Sequence, residues 1–134
     1  MSEKLCKLRK CGGGGNMTEV VLWSNPNPTA QMSNPTLTMS ENITNYDYVR
    51  IYWRISTTDS TESSIIVASG DISPDAVNNN TISFNSRAGG YNFGRMLFVD
   101  STPDSIIITT AVRRGQTNLD NTMAIPTKIC GINL

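Results

Sequence analysis

The side chains with reactive chemistry are three cysteines, Cys6, Cys11 and Cys130, and eleven carboxylates, in a chain with no histidine. Without an imidazole no Ser-His-Asp or Cys-His pair can be assembled, and every His-containing zinc site falls away. Cys6 and Cys11 are separated by four residues. With Cys130 they make three thiols where a tetrahedral zinc site needs four ligands, so unpaired thiols are expected and no disulfide framework. Carboxylate-only catalysis of the glycosidase kind needs two acids facing each other across a cleft. Here the acids gather in turn-forming stretches, where solvation and turn chemistry account for them. The expectation is a protein that is not an enzyme, with no catalytic residue, no cofactor and no metal.

Two acidic phrases repeat, Asp71-Ile72-Ser73-Pro74-Asp75 and Asp100-Ser101-Thr102-Pro103-Asp104, each closing a strand-like run. Ser or Thr followed by Pro and Asp is the chemistry of a type I turn. The alternative, a shared calcium site built from four hard oxygen ligands, lacks the alternating acids of a dedicated loop. Gly12 to Gly15 are followed by Asn16-Met17-Thr18 rather than a Lys-Ser/Thr pair, so they form no phosphate-binding loop. Four consecutive glycines lose so much backbone entropy on ordering that they read as a tether.

The residues left for recognition are aromatic and basic. Trp23, Tyr46, Tyr48, Tyr52, Trp53 and Tyr91 have rings able to stack on sugars. In Tyr48-Val49-Arg50-Ile51-Tyr52-Trp53-Arg54-Ile55, however, the alternation puts Val49, Ile51, Trp53 and Ile55 on a dry face and Tyr48, Arg50, Tyr52 and Arg54 on the other. Trp53 is therefore expected near the centre of the core. The Tyr48, Arg50, Tyr52 and Arg54 face is expected to meet a partner subunit or a ligand, because Tyr and Arg are enriched at interfaces.

Strands must position that face. Period-two runs start at Thr18 to Trp23 and continue at Ile65 to Ala68, Thr81 to Phe84, Phe93 to Val99, Ile106 to Val112 and Ala124 to Ile132, with a shorter one at Leu37 to Met39. Turn-formers separate them, including Asn25-Pro26-Asn27-Pro28, Asn34-Pro35, Asn78-Asn79-Asn80, Ala88-Gly89-Gly90 and Arg114-Gly115. About seven or eight short strands with such punctuation predict an all-β fold, an antiparallel β-sandwich or jelly-roll-like barrel, for residues 17–134. Met96, Phe98 and Ile107 are expected in its core beside Val49, Ile51, Trp53 and Ile55.

Charge divides the chain at the glycines. Lys4, Lys7, Arg9 and Lys10 against Glu3 give residues 1–16 a net +3 in a chain of net zero, which leaves −3 on the body. The neutral total removes the phosphate attraction that most nucleic-acid binding rests on. No stretch approaches the roughly 18 apolar residues of a membrane span, and the basic N-terminus lacks the apolar segment of a signal peptide. No nucleic acid and no membrane insertion are expected, with folding in a cytoplasm. Residues 1–16 read as an irregular basic arm with a glycine hinge, in which Leu5, Lys7, Leu8, Arg9 and Lys10 are candidate assembly contacts; the other reading is an extension upstream of a domain that starts near Met17. Extended, 16 residues reach about 50 Å.

The phrases Thr18-Glu19-Val20-Val21-Leu22-Trp23-Ser24-Asn25-Pro26-Asn27-Pro28, Asn45-Tyr46-Asp47-Tyr48-Val49-Arg50-Ile51 and Ile125-Pro126-Thr127-Lys128-Ile129-Cys130-Gly131-Ile132 resemble a family of small proteins encoded among the virion structural genes of phages and prophages of Gram-positive bacteria, similar to tail-fibre or receptor-binding modules. The resemblance implies a β-sandwich carried on a particle as a tail-tip or fibre module or a capsid decoration. It implies assembly in the bacterial host cytoplasm, self-association as a homotrimer, and contact with other virion structural proteins. The alternative function is a glycan-binding module that uses exposed aromatic and Asn side chains on a host cell surface.

Overall fold

The computed structural model describes residues 17–72, 82–116 and 118–134. The arm residues Leu5, Lys7, Leu8, Arg9 and Lys10, together with Cys6, Cys11 and the glycine hinge, lie outside the described residues, as do Ser73, Pro74 and Asp75 of the first acidic phrase. More than half of the described residues lie in nine strands: β1 (Thr18–Ser24), β2 (Thr36–Thr38), β3 (Tyr48–Ser56), β4 (Glu62–Ala68), β5 (Ile82–Ala88), β6 (Tyr91–Val99), β7 (Ser105–Ile108), β8 (Val112–Arg113) and β9 (Met123–Asn133). Single 3-10 turns at Ile43–Asn45 and Ser69–Asp71 are the helical elements among them.

The strands build two antiparallel sheets packed face to face, a β-sandwich. One sheet has the order β1-β9-β3-β4; the other runs β2-β7-β6-β5, with β8 also paired to β6. Chain direction alternates between layers at the start, since β1 lies in the first sheet, β2 in the second and β3 in the first again. Three hairpins, β3-β4, β5-β6 and β6-β7, stay within a sheet. The β5-β6 turn is Gly89-Gly90, with φ of 60° and 82°. A two-residue hairpin with both φ positive matches the right-handed twist of its strands, and only residues without a Cβ adopt it cheaply.

The core lies between Val49, Ile51 and Trp53 of β3, Ile129 of β9 and Leu22 of β1 on one side, and Phe84, Leu97, Val99, Ile106 and Ile108 on the other. Trp53 joins the layers: its Nε1 donates to the Asn85 carbonyl at 3.0 Å, and its ring sits 4.9 Å from Phe84. Tyr46 lies flat on the backbone of Gly131, where a Cβ would stand 2.5 Å from the ring.

Four expected core positions are corrected. Met96 is 46% exposed, and Phe98 and Ile107 are half-buried, while Arg95, Leu97, Val99, Ile106 and Ile108 are the buried residues of β6 and β7. Met96 to Val99 and Ile106 to Ile108 are apolar without a break, so a period of two gives no phase; pairing of Leu97 with Ile108 and Val99 with Ile106 sets it. Ile55 is likewise half-buried. The run Ile106 to Val112 also divides, because at Thr109 the chain leaves the ladder to place its carbonyl on the Arg95 guanidinium.

Pro126 sits inside β9, a central strand, where a missing N–H is normally excluded. Its carbonyl accepts from the Asn25 side-chain amide at 2.9 Å on the side where β1 has just ended. Thr127 is an extra residue against β3, whose register shifts between Tyr52 and Trp53. A second shift, in β1 between Val21 and Trp23, lets consecutive Leu22 and Trp23 both reach the core.

Candidate functional site

Three places gather polar chemistry, and each follows from strand alternation. The first is the outer face of the four-stranded sheet. Pairing of Arg50 with Cys130, Tyr52 with Lys128 and Val21 with Cys130 puts these side chains on the face away from the core, with Glu19 beside them. Tyr52 Oη donates to Glu19 Oε1 at 2.6 Å and accepts from Arg50 Nη1 at 3.2 Å. Arg50 Nη1 also pairs with Glu19 Oε2 at 3.3 Å, and Lys128 Nζ lies 4.3 Å from the centre of the Tyr52 ring. Burial, then the bond to Glu19, raises the Tyr52 phenol pKa, and the bond to Tyr52 raises that of Arg50. Arg50 Nε is buried without a partner among the described residues.

Beneath this cluster, Cys130 is free and buried. Its surroundings push the thiol up to about 11, burial being the main cause and the Glu19 carboxylate the next. At neutral pH it is a protonated thiol, the opposite of an activated nucleophile.

Of the four residues predicted for this face, the structure brings Arg50 and Tyr52 together. Tyr48 is buried, and Arg54 turns back to its own chain, donating to the carbonyls of Ser56 at 2.7 Å and Thr57 at 3.2 Å. Glu19 and Lys128 complete the cluster without having been singled out, because they come from strands far away in sequence.

The second place is interior. Arg95 is fully buried on the inner face of β6. Its Nε donates to Met123 O at 3.1 Å; Nη1 to Thr109 O at 3.0 Å and Ser33 O at 3.3 Å; Nη2 to Met32 O at 2.8 Å, Met123 O at 3.0 Å and Asn121 O at 3.3 Å. All five N–H groups of the guanidinium thus have carbonyl acceptors. Burial lowers its pKa to about 10, opposed by the Asp120 carboxylate, so it stays charged at neutral pH. The side chain ties residues 32–33, 109 and 121–123 to one point. An arginine between two strand-like apolar runs reads as solvent-facing, and no signal in the sequence marked it as inward.

The third place is a groove of about 580 Å³ on the outer face of the five-stranded sheet. Pairing of Ser83 with Met96, Asn85 with Gly94 and Gly94 with Val112 puts these residues on the face opposite Arg95 and Leu97. Gly94 leaves its floor open: a Cβ there would meet Phe84 O at 3.8 Å and Asn85 Cβ at 3.9 Å, ordinary contacts. Asn92, Thr109, Arg113, Arg114 and Gln116 line the far side. Thr109 is held by its N–H to Met96 O at 2.9 Å and by its hydroxyl, which accepts from Met96 N at 2.9 Å. The Arg113 guanidinium lies 3.4 Å above the Tyr91 ring.

Of the six aromatics considered for stacking, Trp53, Tyr46 and Tyr48 are buried, Trp23 and Tyr52 are half-buried and Tyr91 is exposed. In the second acidic phrase, Ser105 N–H closes a turn on Thr102 O at 2.9 Å and Thr102 donates its hydroxyl to Asp104, which is the turn chemistry read from the sequence. Among the described residues no three Cys, Asp or Glu side chains stand together as a metal site, and no helix is long and apolar enough to cross a membrane. No family model matches the chain, and no curated protein matches it.

Proposed function

We propose that the protein is a structural component of a tailed-phage particle, exposed on its exterior as a tail-tip or fibre module or a capsid decoration. In this reading it associates with copies of itself as a trimer and is attached partly through residues 1–16. The observation that supports it best is the ordered Glu19-Arg50-Tyr52-Lys128 cluster on the outer face of the four-stranded sheet. Tyr and Arg presented on a flat strand surface, already fixed by mutual bonds, lose little further side-chain freedom on docking. The sandwich beneath is a rigid support whose buried polar groups serve the framework.

The experiment is to purify particles from a host carrying the gene and quantify the protein in them by mass spectrometry, beside native mass spectrometry of the isolated chain. Stoichiometric presence in particles and a trimer in solution are expected, with Arg50→Glu weakening both. Deleting residues 1–16 is expected to leave the body folded and reduce incorporation. Absence from banded particles rejects the reading; normal incorporation of the deletion moves attachment to the sheet face.

A further inference from the structure

We infer that the groove on the outer face of the five-stranded sheet is a binding site for a short saccharide carrying an anionic group, a carboxylate or a phosphate. The inference does not rest on the virion reading. At about 580 Å³ the groove falls within the range of small-ligand sites, roughly 300–1,000 Å³, and is too small for a folded partner.

Its chemistry is selective. Among the described residues no carboxylate lines it, while Arg113 and Arg114 do. The side chains of Asn85, Asn92, Arg114 and Gln116 make no hydrogen bond or ion pair among the described residues, and so present amide and guanidinium groups to the groove unspent. Amides that both donate and accept suit vicinal hydroxyls. Met96 and Val112, exposed beside Gly94, offer an apolar strip for the C–H face of a sugar ring.

Arg114 supplies the charge recognition: it lines the groove, is exposed, and its guanidinium makes no bond among the described residues, so it is free to take a carboxylate or phosphate in the two-bond mode. Arg113, whose guanidinium stacks on Tyr91 outside the groove, adds positive charge at the edge. Thr109, which helps form the wall, is locked from behind by Arg95, so the site is preorganised by the most deeply bonded residue of the interior. Gly94 is the specificity element: no positive φ and no close contact requires glycine there, and any side chain at that position would fill the groove.

The test titrates the full chain at low salt with hexagalacturonate, a glycerol phosphate oligomer and maltohexaose, followed by calorimetry. At least one anionic probe is expected to bind, with maltohexaose about tenfold weaker or worse and affinity falling as salt is raised; which anionic probe binds identifies the anionic group. Gly94→Leu and Arg114→Gln are each expected to weaken binding at least about tenfold, a loss of about 1.4 kcal/mol, with unchanged circular dichroism. Arg114→Glu, at an exposed position, repeats the test should Gly94→Leu fail to fold. Failure of both anionic probes to bind, equal binding of maltohexaose, or full binding by folded variants overturns the inference. A change of oligomeric state in Gly94→Leu also overturns it, by making the groove a contact between copies.

Discussion

Arg95 and Arg50 sit on neighbouring layers of one sandwich and have opposite kinds of bonding. Arg95 is sealed inside, with every donor on a main-chain carbonyl and no carboxylate among its hydrogen-bond partners. Arg50 is on an outer face, shares a carboxylate with a phenol and keeps one nitrogen without a partner among the described residues. The closed set fixes where three segments of chain must lie. The open set leaves charge at the surface and one buried N–H unspent beneath it. The difference teaches that residue type alone does not sort structural from recognition chemistry: what sorts it is whether the hydrogen-bonding capacity of the group is exhausted within the fold.

The most severe way to break the comparison is Arg95→Leu, which takes the guanidinium away from five carbonyls, of which Asn121 O keeps the Met32 N–H as a donor. At about 1–3 kcal/mol for each group left unsatisfied in the interior, the loss approaches the whole stability of a small domain, and no cooperative melting transition is expected. Arg95→Lys is expected to rescue it poorly, because three donors on a point charge cannot reproduce a planar fork. A melting temperature close to wild type for either variant removes the structural role given to Arg95. Trp53→Ala supplies the apolar benchmark: about 3–5 kcal/mol is expected from denaturant unfolding, less than Arg95→Leu although the ring is a larger apolar group.

Cys130 sharpens the outer side of the comparison through pH. Its folded pKa, about 11, lies above the ordinary thiol value of 9.0, so the folded state holds the proton more tightly than the unfolded one. That contribution is complete below pH 9 and is lost as pH rises through 11. Stability is expected to decline across that window, and Cys130→Ala to flatten the decline; an identical pH profile in the variant contradicts it. At neutral pH, Ellman's reagent is expected to react with Cys130 only on unfolding. The smallest effect belongs to Arg50 and Glu19, which are partly solvent-exposed: a double-mutant cycle is expected to give coupling below about 1 kcal/mol, with loss of self-association as the larger consequence. Coupling several times larger would make the outer cluster a second structural lock.

Much of the architecture was legible because β-branched alternation and turn residues coincide. Val49, Ile51 and Trp53 point inward as their spacing predicts, and Gly89-Gly90 turns the chain between two strands. Legibility failed where alternation did. In Met96 to Val99 and Ile106 to Ile108 both faces are apolar, so partner strands decide the phase, and the adjoining polar residue that would break the tie, Arg95, points the unexpected way. The Tyr48, Arg50, Tyr52 and Arg54 face was visible as a face. Its division into a buried ring, a self-bonded guanidinium and a two-residue part of a larger cluster depends on Glu19 and Lys128, 31 residues before Arg50 and 76 after Tyr52. The groove gave no local signal, since its walls meet only through β5, β6 and β8.

Thr18 of β1 pairs with Asn133 of β9, so the two ends of the sandwich's first sheet leave from the same pole. Traction applied between those two residues would open the β1-β9 ladder one pair at a time, as a zipper opens, instead of loading all its bonds together in shear. Such a body is mechanically suited to hang from one end with the far pole free, and poorly suited to serve as a link that transmits tension from one neighbour to the next.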